Sequence, residues 1–143
     1  MKKLYVLMIL IVAGIFIVAC GQKTPTVTSK LDITNLGFAS VGADNKVVMD
    51  VVKTDTPLFL YAEKIGDFTN TNGEIQPKVI VEILETGYSR EFFGAVIKTE
   101  GKSMDSSTFP LGIVPAGTYT TKITVMDLIA GIQVSKEKQL VVS

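Results

Sequence analysis

From residue 31 onward apolar and polar side chains alternate, and turn-forming residues interrupt the alternation about every eight to twelve positions. Successive side chains of an extended chain point to opposite faces, so this pattern marks strands with one buried face. Residues 31–39 make the first alternating run, and residues 47–53 make a β-branched second one with Val47, Met49 and Val51 on one face. Residues 58–64 set Leu58, Leu60 and Ala62 opposite Phe59, Tyr61 and Glu63. Residues 78–84 gather Val79, Val81 and Ile83, and residues 91–98 begin with aromatic side chains. Residues 108–114 align Phe109, Leu111 and Ile113, residues 119–126 align Tyr119, Ile123 and Val125, and residues 133–142 form the last run. Eight strands are therefore expected.

No stretch beyond residue 30 repeats apolar residues at i, i+3, i+4 and i+7 over three turns, so little helix is expected. Turn chemistry agrees. Asn72-Gly73 is a tight-turn dipeptide, Thr86-Gly87 and Ala130-Gly131 suit hairpin or bulge positions, and Pro115-Ala116-Gly117 leads into the seventh run. Strands at this spacing predict an all-β fold, an antiparallel sandwich of about seven to eight strands in two sheets packed face to face.

The first twenty residues follow a different rule. Lys2 and Lys3 precede an apolar run from Leu4 to Ala19 broken only by Gly14, and polar Gln22, Lys23 and Thr24 follow. Such a run is long for the core of a signal peptide and short for a membrane span, which needs roughly 20 residues. Ile17-Val18-Ala19-Cys20 separates the two, because it resembles the bacterial lipobox: a branched aliphatic residue, a small or branched one, a small one, then cysteine. The resemblance implies that the Cys20 thiol is diacylglycerated, that the bond after Ala19 is cut, and that Cys20 becomes the acylated first residue. Retention of the run as an uncleaved single-pass anchor is the alternative, and both outcomes tether one domain outside the cytoplasmic membrane. Several acyl chains, each contributing about 0.8 kcal/mol per buried methylene, anchor stably where a single chain is marginal.

Three parts result: residues 1–19 as a lipoprotein signal peptide, residues 20–30 as lipidated N-terminus and polar, threonine-rich tether, and residues 31–143 as the sandwich. Gly21 follows Cys20, so the aspartate that resembles an inner-membrane retention signal in diderm bacteria is missing. The expected location is extracytoplasmic, on the cell membrane or on an outer membrane where one exists.

A second resemblance covers most of residues 31–143. Leu58 to Glu63, then Pro77 to Ile83, then Pro115-Ala116-Gly117-Thr118-Tyr119 running to Asp127, and a final strand are similar to the immunoglobulin-like modules of bacterial envelope proteins. In those modules a P-x-G-x-Y segment opens the penultimate strand, which ends in an aspartate before the last hairpin. The resemblance implies an immunoglobulin-like or fibronectin type III-like sandwich, with Tyr119 in the tyrosine corner, its hydroxyl bonded to nearby backbone. Both the inter-sheet cysteine pair and the core tryptophan of antibody domains are missing.

Composition narrows the chemistry. With no histidine and one cysteine, the commonest ligands for zinc, haem and copper are missing, no internal disulfide can close, and a Ser-His-Asp triad cannot form. Fourteen acidic residues balance fourteen basic ones, which argues against a nucleic-acid partner, since a binder normally shows a basic excess or stripe. Loss of Lys2 and Lys3 with the signal peptide leaves the rest mildly acidic, without a polybasic patch. Lys102-Ser103 and the pair Glu82 and Glu85 read as ordinary surface groups rather than a dyad or a glycosidase pair. Residues 67–74 carry the oxygens of a calcium loop, but with Gly73 in the sixth position Phe68 and Val79 fall where acidic ligands are required. Asp67 and Glu74 remain as a looser calcium pair. No catalytic residue, metal site or cofactor is expected.

Two surface features stand out. Asp127-Leu128-Ile129-Ala130-Gly131-Ile132 is an apolar hairpin tip where tips are normally polar. It either folds back over the open end of the sandwich, the favoured reading, or makes Leu128 and Ile129 a partner or membrane contact. Phe59 and Tyr61 share an outer face, and with Tyr88, Phe92 and Phe93 they could form a patch for a protein or glycan, but the favoured reading gives these aromatics to the core, because one-residue bulges shift parity and a module this size needs them there. The expected function is a lipid-anchored envelope module that binds or supports, without catalysis. The alternative is an accessory docking subunit of a larger envelope complex, such as a transporter, filament or secretion machinery.

Overall fold

The computed structural model describes residues 30–40 and 51–143. The signal segment, Cys20, most of the tether, and Val47 and Met49 of the second expected strand lie outside the described residues. In chain order the strands are β1 (Asp32–Ser40), β2 (Val51–Val52), β3 (Leu58–Gly66), β4 (Glu74–Ile75), β5 (Pro77–Ile83), β6 (Tyr88–Phe93), β7 (Ile97–Lys98), β8 (Ser103–Gly112), β9 (Gly117–Asp127) and β10 (Ile132–Val142). The described residues contain no helix.

One sheet has the order β1-β3-β8 and the other β2-β10-β9-β5-β6, while β4 and β7 form a small ribbon. All pairings are antiparallel except that β2 runs parallel to β10. With β1, β3, β5, β6, β8, β9 and β10 lettered A, B, C, C′, E, F and G, this is A-B-E facing C′-C-F-G, an immunoglobulin-like strand order. The chain changes sheets between β1 and β2, so the first strand is split between the two layers.

The inner faces follow the alternation. Leu58, Leu60 and Ala62 of β3, Val79, Val81 and Ile83 of β5, Phe109 and Leu111 of β8, and Ile123 and Val125 of β9 are all buried. Three turns take the expected form. Thr71 and Glu74 exchange both backbone hydrogen bonds, at 2.9 and 3.1 Å, around Asn72 and Gly73 with φ of 54° and 79°. Positive φ at both central residues matches the right-handed twist of a hairpin, which is why Asn-Gly sits there. The β5–β6 and β9–β10 hairpins each close on a glycine, Gly87 and Gly131, with φ of 72° and 71°. Tyr119 also completes the expected corner, its hydroxyl donating to the Pro115 carbonyl at 2.9 Å.

Several boundaries differ from expectation. The run at 108–114 belongs to a strand that starts five residues earlier, at Ser103, and stops at Gly112. Gly112 has φ of 78°, so the backbone turns there and Ile113 is left exposed rather than aligned with Phe109 and Leu111. The run at 91–98 is divided: β6 begins earlier, at Tyr88, and Ile97–Lys98 joins the small ribbon instead.

The three-stranded sheet holds a feature that alternation conceals. Asn35, Glu63 and Ser106 lie side by side across it outside the ladder register, the Asn35 amide donating to the Glu63 carboxylate, while the pairs on both sides keep one register: Thr34 with Lys64 with Asp105, and Leu36 with Ala62 with Ser107. Asn35 and Ser106 have φ of 47° and 51°. One extra residue per strand at one level reverses the faces beyond it. Ile33 and Ile65 are therefore inward on one side of the row, and Phe38 and Leu60 on the other.

Candidate functional site

At one end of the sandwich converge the loop after β3, the loop between β7 and β8, the β9–β10 tip and the start of the described chain at Lys30. The backbone shows this directly. Asp67 N–H donates to the Lys30 carbonyl at 3.0 Å, and Phe68 N–H donates to the Lys102 carbonyl at 2.6 Å. Asn70 then ties the loops together, its amide donating to the carbonyls of Thr99 at 2.8 Å and Gly101 at 2.9 Å, while its oxygen accepts from Gly73 N–H at 3.0 Å. Gln76 is a second tie. Its side chain donates to the Gly94 carbonyl at 3.0 Å, and its backbone carbonyl accepts from Leu128 N–H at 3.0 Å.

Asp127 organises the tip. It falls on the inward face of β9, two residues beyond Val125, and is 1% exposed. One carboxylate oxygen accepts from Thr69 N–H at 2.6 Å, and the other from Ile129 and Ala130 N–H at 3.0 and 3.1 Å. Its backbone carbonyl accepts from Gly131 N–H at 2.8 Å. A buried carboxylate needs such donors, since each unmatched lone pair is costly out of water. The acid seen in sequence only as the end of a strand is the clamp of this loop cluster. The signal for it was an aspartate on the face that also carries Ile123 and Val125.

Leu128 and Ile129 sit on the clamped tip at 39% and 38% exposure, so the fold-back favoured from sequence is not the arrangement found. The hydrogen bonds of Asp127 and Gln76 hold the backbone out in a fixed turn and leave these two side chains at the surface. Phe59 and Tyr61 occupy the outer face of β3, half-buried, between Ala39 and Pro110 and between Gly37 and Thr108 respectively. They do not join the other aromatics in one patch. Tyr88 and Phe92 lie opposite Ile83 and Val79 on the inward face of β6 and pack against the core. Phe92 meets Phe109 at 5.1 Å between ring centroids, and only Phe93, with φ of 64°, remains widely exposed.

Electrostatics at this end are quiet. Asp67 forms an ion pair with Lys64 at 3.4 Å, and Glu74 lies opposite Lys98 in the register of the ribbon. Among the described residues no three of His, Cys, Asp and Glu come together as a metal site. Two carboxyls are held below their ordinary range: Asp32, at the start of β1 at this end, by Lys136, and Glu85, at the opposite end, where Thr120 N–H donates to both of its oxygens at 2.8 and 2.9 Å. No protein-family model matches the chain, and no curated protein matches it in sequence.

Proposed function

We propose that this chain is a lipid-anchored module of the cell envelope, held through Cys20, that binds or supports a partner and performs no catalysis. What carries the reading is the single cysteine placed directly after an apolar run and the Ile17-Val18-Ala19 tripeptide. An immunoglobulin-like sandwich supports it, because such a scaffold presents loops at its ends and outer faces without forming a catalytic constellation of its own. The half-buried Phe59 and Tyr61 are the face offered to a protein or glycan. Replacing Cys20 with serine is expected to block acylation and processing and to move the chain from the membrane to the soluble fraction. A product of unchanged mass and unchanged membrane partition overturns the reading.

One observation favours the docking-subunit alternative. Leu84 and Ile113, 47% and 64% exposed, lie at the end of the sandwich opposite Lys30, where a subunit of a larger envelope complex would be met. Crosslinking in intact envelopes, with Leu84→Ser and Ile113→Ser together, tests this. Loss of a defined adduct supports docking, and an unchanged adduct pattern counts against it.

A further inference from the structure

We infer that the β9–β10 tip, through Leu128 and Ile129, is a second membrane contact that rests in the interfacial layer of the leaflet to which Cys20 is anchored. The inference deepens the lipid-anchor reading and rests on it. Three observations meet here: where the tether joins the domain, how the tip satisfies its backbone, and how it differs from the other four-residue hairpin.

Lys30 is bonded to Asp67, and Thr69 of the same loop is bonded to Asp127, the residue before Leu128. The tether and the tip therefore leave the domain at the same end. Residues 21–29 separate Cys20 from Lys30. At most about 3.6 Å per residue, they hold that end within about 35 Å of the anchor. Strand β9, with 11 residues at about 3.3 Å each, sets the opposite end roughly 35 Å farther away. A contact too weak to act alone becomes effective when a tether keeps it this close.

A peptide segment entering the apolar part of a bilayer must satisfy its own N–H and C=O groups, since no water is there to do so. The four N–H groups of the tip meet this condition, and a resting place in the interfacial layer leaves its carbonyls within reach of water. Leu128 N–H donates to Gln76, Ile129 and Ala130 N–H to the Asp127 carboxylate, and Gly131 N–H to the Asp127 carbonyl. The neighbouring acid is thus turned inward and its charge is matched by donors. The β5–β6 hairpin gives the contrast. It has the same length and the same closing glycine, but it reads Leu84-Glu85-Thr86-Gly87, with a charged and a hydroxyl residue where the tip has Ile129 and Ala130. That hairpin lies at the far end, in water. With apolar contact rather than a basic patch doing the binding, the tip contact is expected to be insensitive to salt and to anionic lipid content.

The test uses the full lipidated chain in phosphatidylcholine vesicles carrying brominated acyl chains. With Cys20 acylated, Ile129→Cys supplies the one free thiol for an environment-sensitive fluorophore, and Ile113→Cys supplies the control at the far end. The expected result is quenching at position 129 at least threefold stronger than at position 113, reduced to the control level by Leu128→Ser, with all variants floating with the vesicles. Equal, weak quenching at both positions in chains that float overturns the inference and leaves the lipid anchor standing. Chains that fail to float overturn both. Shielding of the probe in native envelopes but not in protein-free vesicles assigns the tip to a protein and overturns the membrane contact. All three substituted side chains are at the surface, so thermal unfolding near that of the parent confirms that each variant is folded.

Discussion

Along one open side of the sandwich, between β6 and β8, Phe92 packs on Phe109, Phe93 meets the same ring edge-on at 6.4 Å, and the Tyr88 hydroxyl donates to the Pro110 carbonyl at 2.7 Å. Along the other side, between β10 and β1, Lys136 and Lys138 reach across the gap. Lys136 donates to the Ile33 carbonyl and pairs with Asp32 at 3.0 Å, and Lys138 donates to the Leu36 carbonyl at 3.0 Å. Both lysines sit opposite inward residues of β9, Ile123 and Thr121, so they are inward-pointing charges whose long stems carry the amines to the edge of the facing sheet. The two seams solve one problem differently. The aromatic seam removes apolar area from water, whereas the lysine seam occupies edge carbonyls of β1 that another strand could otherwise use. Stability should therefore reside in the first seam, and protection of an edge in the second.

Phe109→Ala tests the first half of this contrast and has the largest expected effect. The ring is buried and contacts both Phe92 and Phe93, so its loss should cost about 3–5 kcal/mol, measured by urea unfolding. A loss below about 1 kcal/mol would remove the distinction between the seams. Truncating Phe92 as well should add less than its separate cost, because the two rings share one cavity.

Joint replacement of Lys136 and Lys138 by methionine is next. The stems remain while the amines go, so the carbonyls of Ile33 and Leu36 lose a charged donor and turn to solvent. About 1–2 kcal/mol of stability should be lost. The more telling measurement is association: the uncovered β1 edge should make sedimentation concentration-dependent, while Phe109→Ala stays monomeric at concentrations where it is folded. A monomeric lysine double variant would show that the amines do not guard the edge.

These seams also mark what could be read in the chain and what could not. Alternation over residues 58–64, 78–84 and 119–126 found the inner faces, and Asn72-Gly73 and Tyr119 each announced their local structure because one backbone geometry favours those residues. Alternation failed at Asn35, Glu63 and Ser106, where three strands kink together: an extra residue in one strand is visible only as an ambiguity until its partners are known. It also failed for Lys136 and Lys138. Period two puts them on the core side of β10, and only the nearby edge of β1 explains why a charge belongs there. Of the aromatics at 88, 92 and 93, the core takes Tyr88 and Phe92, as favoured from sequence, whereas Phe93, with φ of 64°, stays exposed in a way that alternation could not foresee. The candidate tip was legible as an apolar anomaly, but its clamp by Asp127 joins residues far apart in sequence.

Tyr88→Phe is the finer probe of the aromatic seam. It keeps the ring and deletes one neutral hydrogen bond, so about 1 kcal/mol is expected. A larger loss would mean that the hydroxyl, rather than ring packing, joins β6 to β8, and the seams would then be more alike than their composition indicates.

The smallest effect separates the seams by pH. Hydrogen bonding from Lys136 holds the Asp32 carboxyl below its ordinary value of 3.8. A carboxylate whose folded pKa is depressed adds stability that is fully present above the unfolded value and is lost as pH falls through the folded one. The lysine seam should thus weaken on acidification from about pH 4 downward, by less than about 1 kcal/mol because the pair is largely exposed. Glu85, at the far end, is also held low, so the acid limb of the parent alone does not isolate the seam. Comparison with Asp32→Asn does: that variant should be slightly less stable at pH 7 and should converge on the parent as pH falls through the depressed pKa of Asp32. Raising salt at neutral pH should narrow the same gap, since the pair is screened while the aromatic seam is not. Parallel curves for parent and Asp32→Asn across the acid range would show that the Lys136–Asp32 pair adds nothing to the lysine seam.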